Sequence, residues 1–261
     1  MEPLLPKTIH YCWFGRNPKP ALAEKCIKSW RRHCPGYEIV EWNEDNYDLS
    51  SAPLYVRQAY EAKKWAFVTD YVRLQVVYEH GGIYMDTDVE LIKRLNPLLC
   101  HQAYFGFEDG VHIATGLGFG AVAGHPILKE IMDDYEDIPF VRPDGSFDSE
   151  TCPSRNTKIL LRHGLRQDDT MQILDGDILI LPSIYLCPFS YETHTWRRSG
   201  EAISIHWFDA SWRTEEEKSD HRDKIRRERQ DRLLHAPNRL LIRLLGEDGY
   251  AKLKKFLKRG A

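Results

Sequence analysis

The chain has 261 residues, of which 42% are hydrophobic and 29% charged, as is usual for a folded protein with a sizeable core. No stretch reaches the ~18 to 20 apolar residues of a membrane-spanning helix, and the first residues lack the regions of a secretory leader. Six scattered cysteines without a C-x-x-C pair indicate reduced thiols and no zinc site. We therefore expect a cytoplasmic protein.

The net charge of -3 is unevenly distributed, because residues 218–261 carry 14 Lys and Arg against 6 Asp and Glu. Their apolar and basic residues predict an amphipathic helical tail, which we place at 216–261. Such a tail suits an anionic membrane surface at the inner membrane face. The alternative is a pair of helices packed on the main domain with a solvated basic face. The acidic remainder argues against nucleic acid as a partner.

The first 90 residues predict the order β-α-β-α-α-β, which is typical of a mostly parallel α/β sheet. Short β-type runs at 8–13 and 37–42 alternate with helical stretches at 21–32 and 53–63. In such sheets ligands bind beyond the carboxyl ends of the strands, where Trp13 and Asp86 fall.

Residues 67–90 carry the most informative pattern. Apolar residues at helical spacing predict a helix that Gly81-Gly82 ends, with Asp70 and Arg73 on a shared face. The alternation from Ile83 to Glu90 predicts one strand with Asp86 and Asp88 on the same side. Paired carboxylates are kept together most readily by a divalent cation facing a phosphate, which predicts a nucleotide-diphosphate site.

Asp-x-Asp alone is a weak signal, and the second copy, Asp175-Gly176-Asp177, is predicted to be a turn. Beyond Glu90 we predict strands at 104–108, 116–120, 178–182 and 203–207 and a helix at 127–135. The glycine-rich run at 116–120 lacks the context of a dinucleotide loop. We interpret it as a small-residue strand that lets a ligand approach the backbone.

Four segments resemble the DXD-containing glycosyltransferases of family 32: LPKTIHYCWFGRNPKP, CIKSWRRHCPGYEIVEWNED, AFVTDYVRLQVVYEHGGIYMDTDVE and IHWFDASW. That family includes yeast-type α-mannosyltransferases and bacterial capsule and cell-surface enzymes, and the large clostridial toxins share its central motif. The resemblance covers about residues 4–100 and 203–212. It implies a single Rossmann-like domain of GT-A type over residues 1–215, with the helical tail as an extension.

The resemblance also implies roles for individual residues. Trp13 would stack on the nucleotide base, and Asp70 and Arg73 would bind hydroxyls of the donor sugar. Tyr84 would support the nucleotide, and Asp86 would contact its ribose and the sugar. The remaining roles fall on residues of the metal and phosphate site: Asp88 as ligand of Mn²⁺ or Mg²⁺, His206, Asp209 or Ser211 as a further ligand with His206 favoured, and Trp212 on the leaving phosphate.

The expected reaction moves a sugar from a nucleotide donor to a glycan or lipid-linked glycan, with retention and no assigned nucleophile. A UDP-sugar is favoured, with GDP-mannose as the alternative, and Glu108 and Asp109 are candidates for the acceptor side. Two other functions stay open at this point: a metal-dependent nucleotidyltransferase or phosphodiesterase, and a non-catalytic carbohydrate-binding protein of the same fold.

Overall fold

A computed structural model describes residues 2–190, 195–197 and 199–209. The predicted tail, together with Ser211 and Trp212, lies outside the described residues. The helices are α1 (Ala21–His33), α2 (Leu54–Glu61), α3 (Trp65–His80), α4 (Pro126–Asp133), α5 (Cys152–Arg162) and α6 (Ser183–Leu186). Within the described part, no helix is both long enough and apolar enough to cross a bilayer.

The strands alternate with these helices. They are β1 (Thr8–Cys12), β2 (Glu38–Trp42), β3 (Gly82–Tyr84), β4 (Val89–Leu91), β5 (Ala103–Gly106), β6 (Phe119–Ala121), β7 (Gln172–Leu174), β8 (Ile178–Leu181), β9 (Phe189–Ser190), β10 (Thr195–Trp196) and β11 (Ser204–His206). The predicted order β-α-β-α-α-β is confirmed. Helix α5 and strand β7 were not predicted, although the Thr151 cap and Pro153 in the first turn are helix-start signals.

Seven strands form the central sheet in the order β2-β1-β3-β6-β5-β8-β7. Strands β2, β1 and β3 pair in parallel, β6 is antiparallel to both β3 and β5, and β8 is parallel to β5. Five of the seven strands therefore run in one direction, with β6 and the edge strand β7 reversed. The predicted α/β class with a mostly parallel sheet is confirmed.

Alternation along the strands divides the core into two layers. Ile9 and Ile83 belong to the cluster that includes Trp30 of α1. Tyr84 and Phe105 belong to the cluster built with α2, α3, α4 and α5. Because successive strand side chains point to opposite faces, helices cover the sheet on both sides.

The prediction of a single strand from Ile83 to Glu90 is wrong. Strand β3 ends at Tyr84, and the Asp86 N–H donates to the Gly116 carbonyl (3.1 Å) instead of extending the ladder. A turn follows, closed by a bond from the Val89 N–H to the Asp86 carbonyl (3.0 Å), and β4 then pairs with β11 in a separate sheet. The turn, and not strand periodicity, therefore places Asp86 beside Asp88.

Candidate active site

Helix α3 supplies a buried ion pair to the site. Gly81, with φ +67°, ends this helix as predicted. On the face shared by Asp70 and Arg73, the guanidinium Nη2 lies 2.9 Å from Asp70 Oδ1. Arg73 also donates to the Thr69 carbonyl (2.9 Å) and hydroxyl (3.1 Å), so its side chain is held against its own helix. The side chain is only 5% exposed, which makes its pairing with carboxylates necessary.

The turn after β3 brings the first aspartate of the motif to this ion pair. Tyr84 donates its hydroxyl hydrogen to Asp86 Oδ1 (2.9 Å), and Arg73 Nη2 lies 3.5 Å from the same oxygen. The Arg73 guanidinium also lies 5.2 Å from the centroid of the Tyr84 ring. Asp70, Arg73, Tyr84 and Asp86 therefore form one connected group.

Gly116 leaves the space that Asp86 occupies. A Cβ atom at this position would lie far inside contact distance of Asp86 Oδ2, and 3.2 Å from Arg73 Nη1. The residue belongs to a 3-10 turn before β6, so the strand predicted at 116–120 begins only at Phe119. The small residue thus admits a carboxylate of the chain itself, whereas we had interpreted the run as room for a ligand.

Strand β11 closes the other side of the motif. It pairs antiparallel with β4, which sets His206 opposite Val89 and places its Nε2 3.1 Å from Asp88 Oδ1. The backbone N–H of Asp209 donates to Asp88 Oδ2 (2.9 Å), and that of Trp207 donates to the Asp88 carbonyl (3.0 Å). Asp88 is therefore held mainly by the segment that follows β11.

Long side chains fix β4 and β11 to the rest of the domain. The buried Trp30 indole of α1 donates to the Val89 carbonyl (2.7 Å). Glu90 accepts from Lys25 Nζ (2.7 Å) and from the Trp207 indole (2.9 Å), so α1 and the residue that follows β11 share one carboxylate. The positions of Asp88 and His206 are consequently set by contacts on both sides of the motif.

Asp86, Asp88 and His206 form the one group of potential metal ligands found among the described residues, with ligand atoms all within 4.8 Å of one another. Two carboxylates and an imidazole suit Mn²⁺ or Mg²⁺, since oxygen-rich sites favour these ions over softer metals. Of the three alternatives for the further ligand, His206 is in place. Asp209 contributes its backbone N–H, and Ser211 lies outside the described residues.

Burial and charge separate the pKa values of the acids. Burial, opposed by Arg73, raises the pKa of Asp70 to about 6, and burial likewise raises the pKa of Asp86. For Asp88, burial acts upward, but His206 together with hydrogen bonds lowers the pKa below its usual value. Burial opposes a charge on His206, yet Asp88 raises the pKa of that ring well above its usual value. Asp88 and His206 thus favour a charged pair.

Trp13 lies at the carboxyl end of β1, the strand next to β3. Its backbone N–H donates to the Trp42 carbonyl (2.9 Å), and its indole donates to the Asn17 carbonyl (2.6 Å). Lys19 Nζ stands 5.8 Å from the ring centroid. The half-buried indole is therefore held in one orientation beside the edge where the acids lie.

A second set of polar side chains near Arg73 was not predicted. Helix α5 contributes Cys152 and Asn156, which contact Thr115 of the turn before β6. Oδ1 of Asn156, in a side chain without exposed surface, has no hydrogen-bond partner among the described residues.

Glu108, a predicted acceptor-side candidate, follows β5, and burial raises its pKa while His206 opposes the shift.

Residues 20–105 match the sequence model of the family described as "Glycosyltransferase sugar-binding region containing DXD motif". The matched range contains Asp70, Arg73, Tyr84 and both aspartates of the motif. This part of the chain is therefore similar to that family. The mostly parallel sheet, with the reversed strand β6 beside the DXD turn and a second reversed strand, β7, at the edge, agrees with the GT-A-type arrangement that the resemblance implies.

Similar proteins match the chain over only part of its length. Inositol phosphoceramide mannosyltransferase 3 of Schizosaccharomyces pombe is 30% identical over 132 residues, which are 49% of this chain and 36% of that protein. Subversion of eukaryotic traffic protein A of Legionella pneumophila is 21% identical over 199 residues, 60% of this chain and 29% of that protein. The chain thus matches well under half the length of these relatives.

Solved structures resemble the chain distantly. The PaToxG glycosyltransferase superposes with a TM-score of 0.46 and 17% identity, covering 62% of this chain and 70% of that one. A glycosyltransferase involved in glycosylating the major capsid of PBCV-1 gives a TM-score of 0.41 and 14% identity, covering 82% and 98%.

Proposed function

We propose that the chain is a metal-dependent glycosyltransferase that moves a sugar from a nucleotide-diphosphate donor to a glycan or lipid-linked glycan, with retention. The observation that supports the proposal is that Asp86 lies between two groups of side chains, the possible metal ligands and a buried ion pair. On one side Asp86 joins Asp88 and His206 within 4.8 Å, and on the other it contacts the buried Arg73–Asp70 pair. A donor needs a cation for its diphosphate and polar groups for its sugar hydroxyls, side by side.

In this proposal different side chains of the protein bind different parts of the donor. Arg73 supplies fixed N–H donors, and the Asp70 and Asp86 carboxylates accept hydrogen bonds from sugar hydroxyls. Tyr84 holds Asp86 through its hydroxyl, which orients the carboxylate before the donor arrives. Trp13, at the end of the adjacent strand, offers its face to the base. In this proposal the sugar lies near Arg73 and the diphosphate lies near Asp88.

Asp88 and His206 are the residues that would hold Mn²⁺ or Mg²⁺. The ion supplies Lewis-acid stabilisation of the charge that builds on the leaving diphosphate. Nε2 of His206 is bonded to Asp88 and favours the protonated form, so ion binding requires this nitrogen to lose its proton. Apparent metal affinity should therefore rise with pH.

The relatives bear on the choice of donor and acceptor. The S. pombe protein is named as a mannosyltransferase of inositol phosphoceramide. The wider resemblance favours a UDP-sugar as donor. The name of this relative supports GDP-mannose as the alternative donor and a lipid-linked acceptor. No carboxylate is assigned as nucleophile, and we propose that a donor phosphate oxygen takes the proton of the acceptor hydroxyl. Because this step needs no carboxylate as base, we predict that the Glu108→Gln variant turns over donor at the wild-type rate.

The proposed function is tested by nucleotide release from a panel of UDP- and GDP-sugars with Mn²⁺, with EDTA, and in the variant Asp88→Ala. Release of UDP or GDP from one donor, lost with EDTA and in the variant, is the expected result. A matched control is Asp177→Ala, which removes an aspartate from the other Asp-x-Asp copy, in the turn between β7 and β8.

The two alternative functions give different products in the same assay. A nucleotidyltransferase or phosphodiesterase would release the nucleoside monophosphate, because it cleaves between the phosphates. A non-catalytic carbohydrate-binding protein would release nothing and would show no metal-dependent binding of nucleotide. Either result would contradict the proposal.

We also propose that the basic tail binds an anionic membrane surface, which would bring the site to a lipid-linked acceptor at the inner face of the membrane. The support is the charge excess of residues 218–261. Replacing the five Lys and Arg residues of 252–259 by Gln in the full chain should reduce binding to vesicles containing phosphatidylserine, by ~1 kcal/mol for each charge that reaches the surface. Unchanged sedimentation with these vesicles would contradict the idea.

A further inference from the structure

The thiol of Cys152 is surrounded by polar groups on both sides. Cys152 is the first residue of α5 and only 6% exposed. Its Sγ lies 3.1 Å from the Thr115 hydroxyl and 3.2 Å from the Asn156 amide nitrogen. Arg73 Nη1 lies 4.0 Å from the same sulfur, on the other side. The Cys152 thiol therefore contacts Thr115 and Asn156 on one side and the Arg73 guanidinium of the proposed sugar site on the other.

The hydrogens of this cluster can be distributed in one consistent way. Nδ2 of Asn156 donates to both Thr115 Oγ1 (3.2 Å) and the sulfur. With its oxygen accepting from Asn156, the Thr115 hydroxyl donates its own hydrogen to Sγ. Burial is the main cause that raises the pKa of Asp70, and the Arg73 guanidinium and the Cys152 side chain act in the opposite direction.

We propose that Cys152 is a positioning residue of the donor-sugar site. Its sulfur is held by Thr115 and Asn156 and in turn fixes the orientation of the Arg73 guanidinium in the Asp70–Arg73 pair. Arg73 Nη2 is held by Asp70 and Thr69, but Nη1 has its side-chain contact at the sulfur. The thiol thereby limits rotation of the guanidinium plane. This inference rests on the proposed function, because the group that it positions is the one assigned to the sugar.

The role of the thiol is narrower than filling space. A methyl group at position 152 would leave the Thr115 hydroxyl and the Asn156 amide without the sulfur, and would free Nη1. A serine would restore a donor and an acceptor at nearly the same place. The inference therefore predicts that Cys152→Ala and Cys152→Ser differ, although both are smaller than cysteine.

The first measurement needs no substrate. In ¹⁵N-arginine-labelled protein, rotation of the Arg73 guanidinium about its Nε–Cζ bond can be measured by NMR, with Arg73→Lys assigning the signal. We expect rotation about fivefold to tenfold faster in Cys152→Ala than in wild type, as loss of one hydrogen bond gives. Cys152→Ser should stay close to wild type. Should Cys152→Ala fail to fold, the isosteric Thr115→Val removes the hydroxyl that holds the sulfur, and it should raise the rotation rate in the same direction.

The second measurement is kinetic. In Cys152→Ala we expect kcat for the accepted donor to fall about tenfold, while the Kd of the free nucleoside diphosphate, which has no sugar, stays unchanged. Cys34→Ala is the matched control, because this buried thiol lies at the end of α1 and belongs to the other core layer. It should alter neither the rotation rate nor kcat.

The outcomes separate the two proposals. A wild-type chain that turns over no donor contradicts the proposed function, and the guanidinium rotation still decides the role of Cys152. Rotation that is equal in wild type and Cys152→Ala overturns the inference. So does a parallel fall of kcat, nucleotide affinity and Tm that serine does not reverse, since that pattern indicates packing alone.

Discussion

At the scale of single residues, Arg73 is the contact point of the whole site. Its guanidinium touches Asp70, Asp86, the Tyr84 ring and the Cys152 sulfur. A planar cation with five donors can serve several partners from one buried position, which a lysine ammonium cannot do in the same geometry. The acids near it therefore stay together despite their mutual repulsion.

Gly116→Ala tests how tightly Asp86 is packed. The added methyl group would clash with Asp86 Oδ2, so the carboxylate must leave the position in which it accepts from Tyr84 and lies beside Asp88 and His206. We expect donor turnover to fall about a hundredfold, as displacements near 1 Å can cause. The measurement is nucleotide release with Mn²⁺ at saturating donor.

Gly200→Ala is the control for this substitution, because nothing lies within 4 Å of its added Cβ. It should turn over donor at the wild-type rate. If Gly116→Ala retained wild-type turnover, the close contact between Gly116 and Asp86 would not describe the active chain.

The residues of α3 and the DXD turn could be predicted from sequence, but their neighbours could not. Asp70 and Arg73 lie three residues apart, and helical spacing is enough to pair them. Cys152 is separated from Arg73 by 79 positions, and Gly116 meets Asp86 through a turn without regular periodicity. Contacts at such separations depend on tertiary packing, which no local pattern encodes.

At the scale of elements, His10 joins β1, β2 and the end of α3. Its Nε2 donates to the Gly81 carbonyl (2.9 Å), and its Nδ1 accepts from the Trp42 indole (3.1 Å), which requires the neutral ring. Burial is the main cause that lowers the pKa of His10, with the Gly81 bond opposing it and nearby His80 adding to it. The folded chain therefore disfavours protonation here.

The sign of the pH effect follows from this lowered pKa. The stabilisation is present above the unfolded value of 6.5 and is lost as the pH falls through the folded value. We expect the free energy of unfolding of wild type to fall more between pH 7.5 and pH 5 than that of His10→Gln. Urea denaturation at several pH values measures the difference.

His163 is a control with the opposite sign. Burial acts downward, but Glu130 and Asp175, whose oxygens lie 3.1 and 2.5 Å from the ring, raise the pKa of His163. Its stabilisation is present below the unfolded value and is lost as the pH rises through the folded one. His163→Gln should therefore weaken the chain most at acidic pH. Identical pH profiles for both variants would contradict the two assignments.

The elements themselves differ in how far sequence predicts them. Helices α1, α2 and α3 and strands β1 and β2 were predicted within a few residues, because their periodicity and their Gly or Pro boundaries agree. The strand at 83–90 was wrong, since the alternation continued through a turn. Strand β4 pairs with β11, which lies more than a hundred positions away, and only the family resemblance brought His206 to the motif.

At the scale of the whole molecule, the sheet gathers the site at one edge. The parallel strands β1 and β3 end next to each other, so Trp13 and the Asp86 turn lie at the same edge. The reversed strand β6 starts after the Gly116 turn at this edge, and β11 adds His206 from outside the sheet. The sequence predicted the parallel half and a strand at 116–120, but no local pattern showed that this strand begins only at Phe119 and runs in the reverse direction.

The central claim is that Asp88 and His206, next to Asp86, form a cation site that acts with a nucleoside diphosphate. The most direct test is Mn²⁺ binding followed by electron paramagnetic resonance, with UDP and GDP in turn, for wild type, Asp88→Asn and His206→Gln. We predict binding that depends on the nucleotide in wild type and is weakened about tenfold or more in both variants. Equal Mn²⁺ affinity in all three proteins, or none in wild type, would contradict the account.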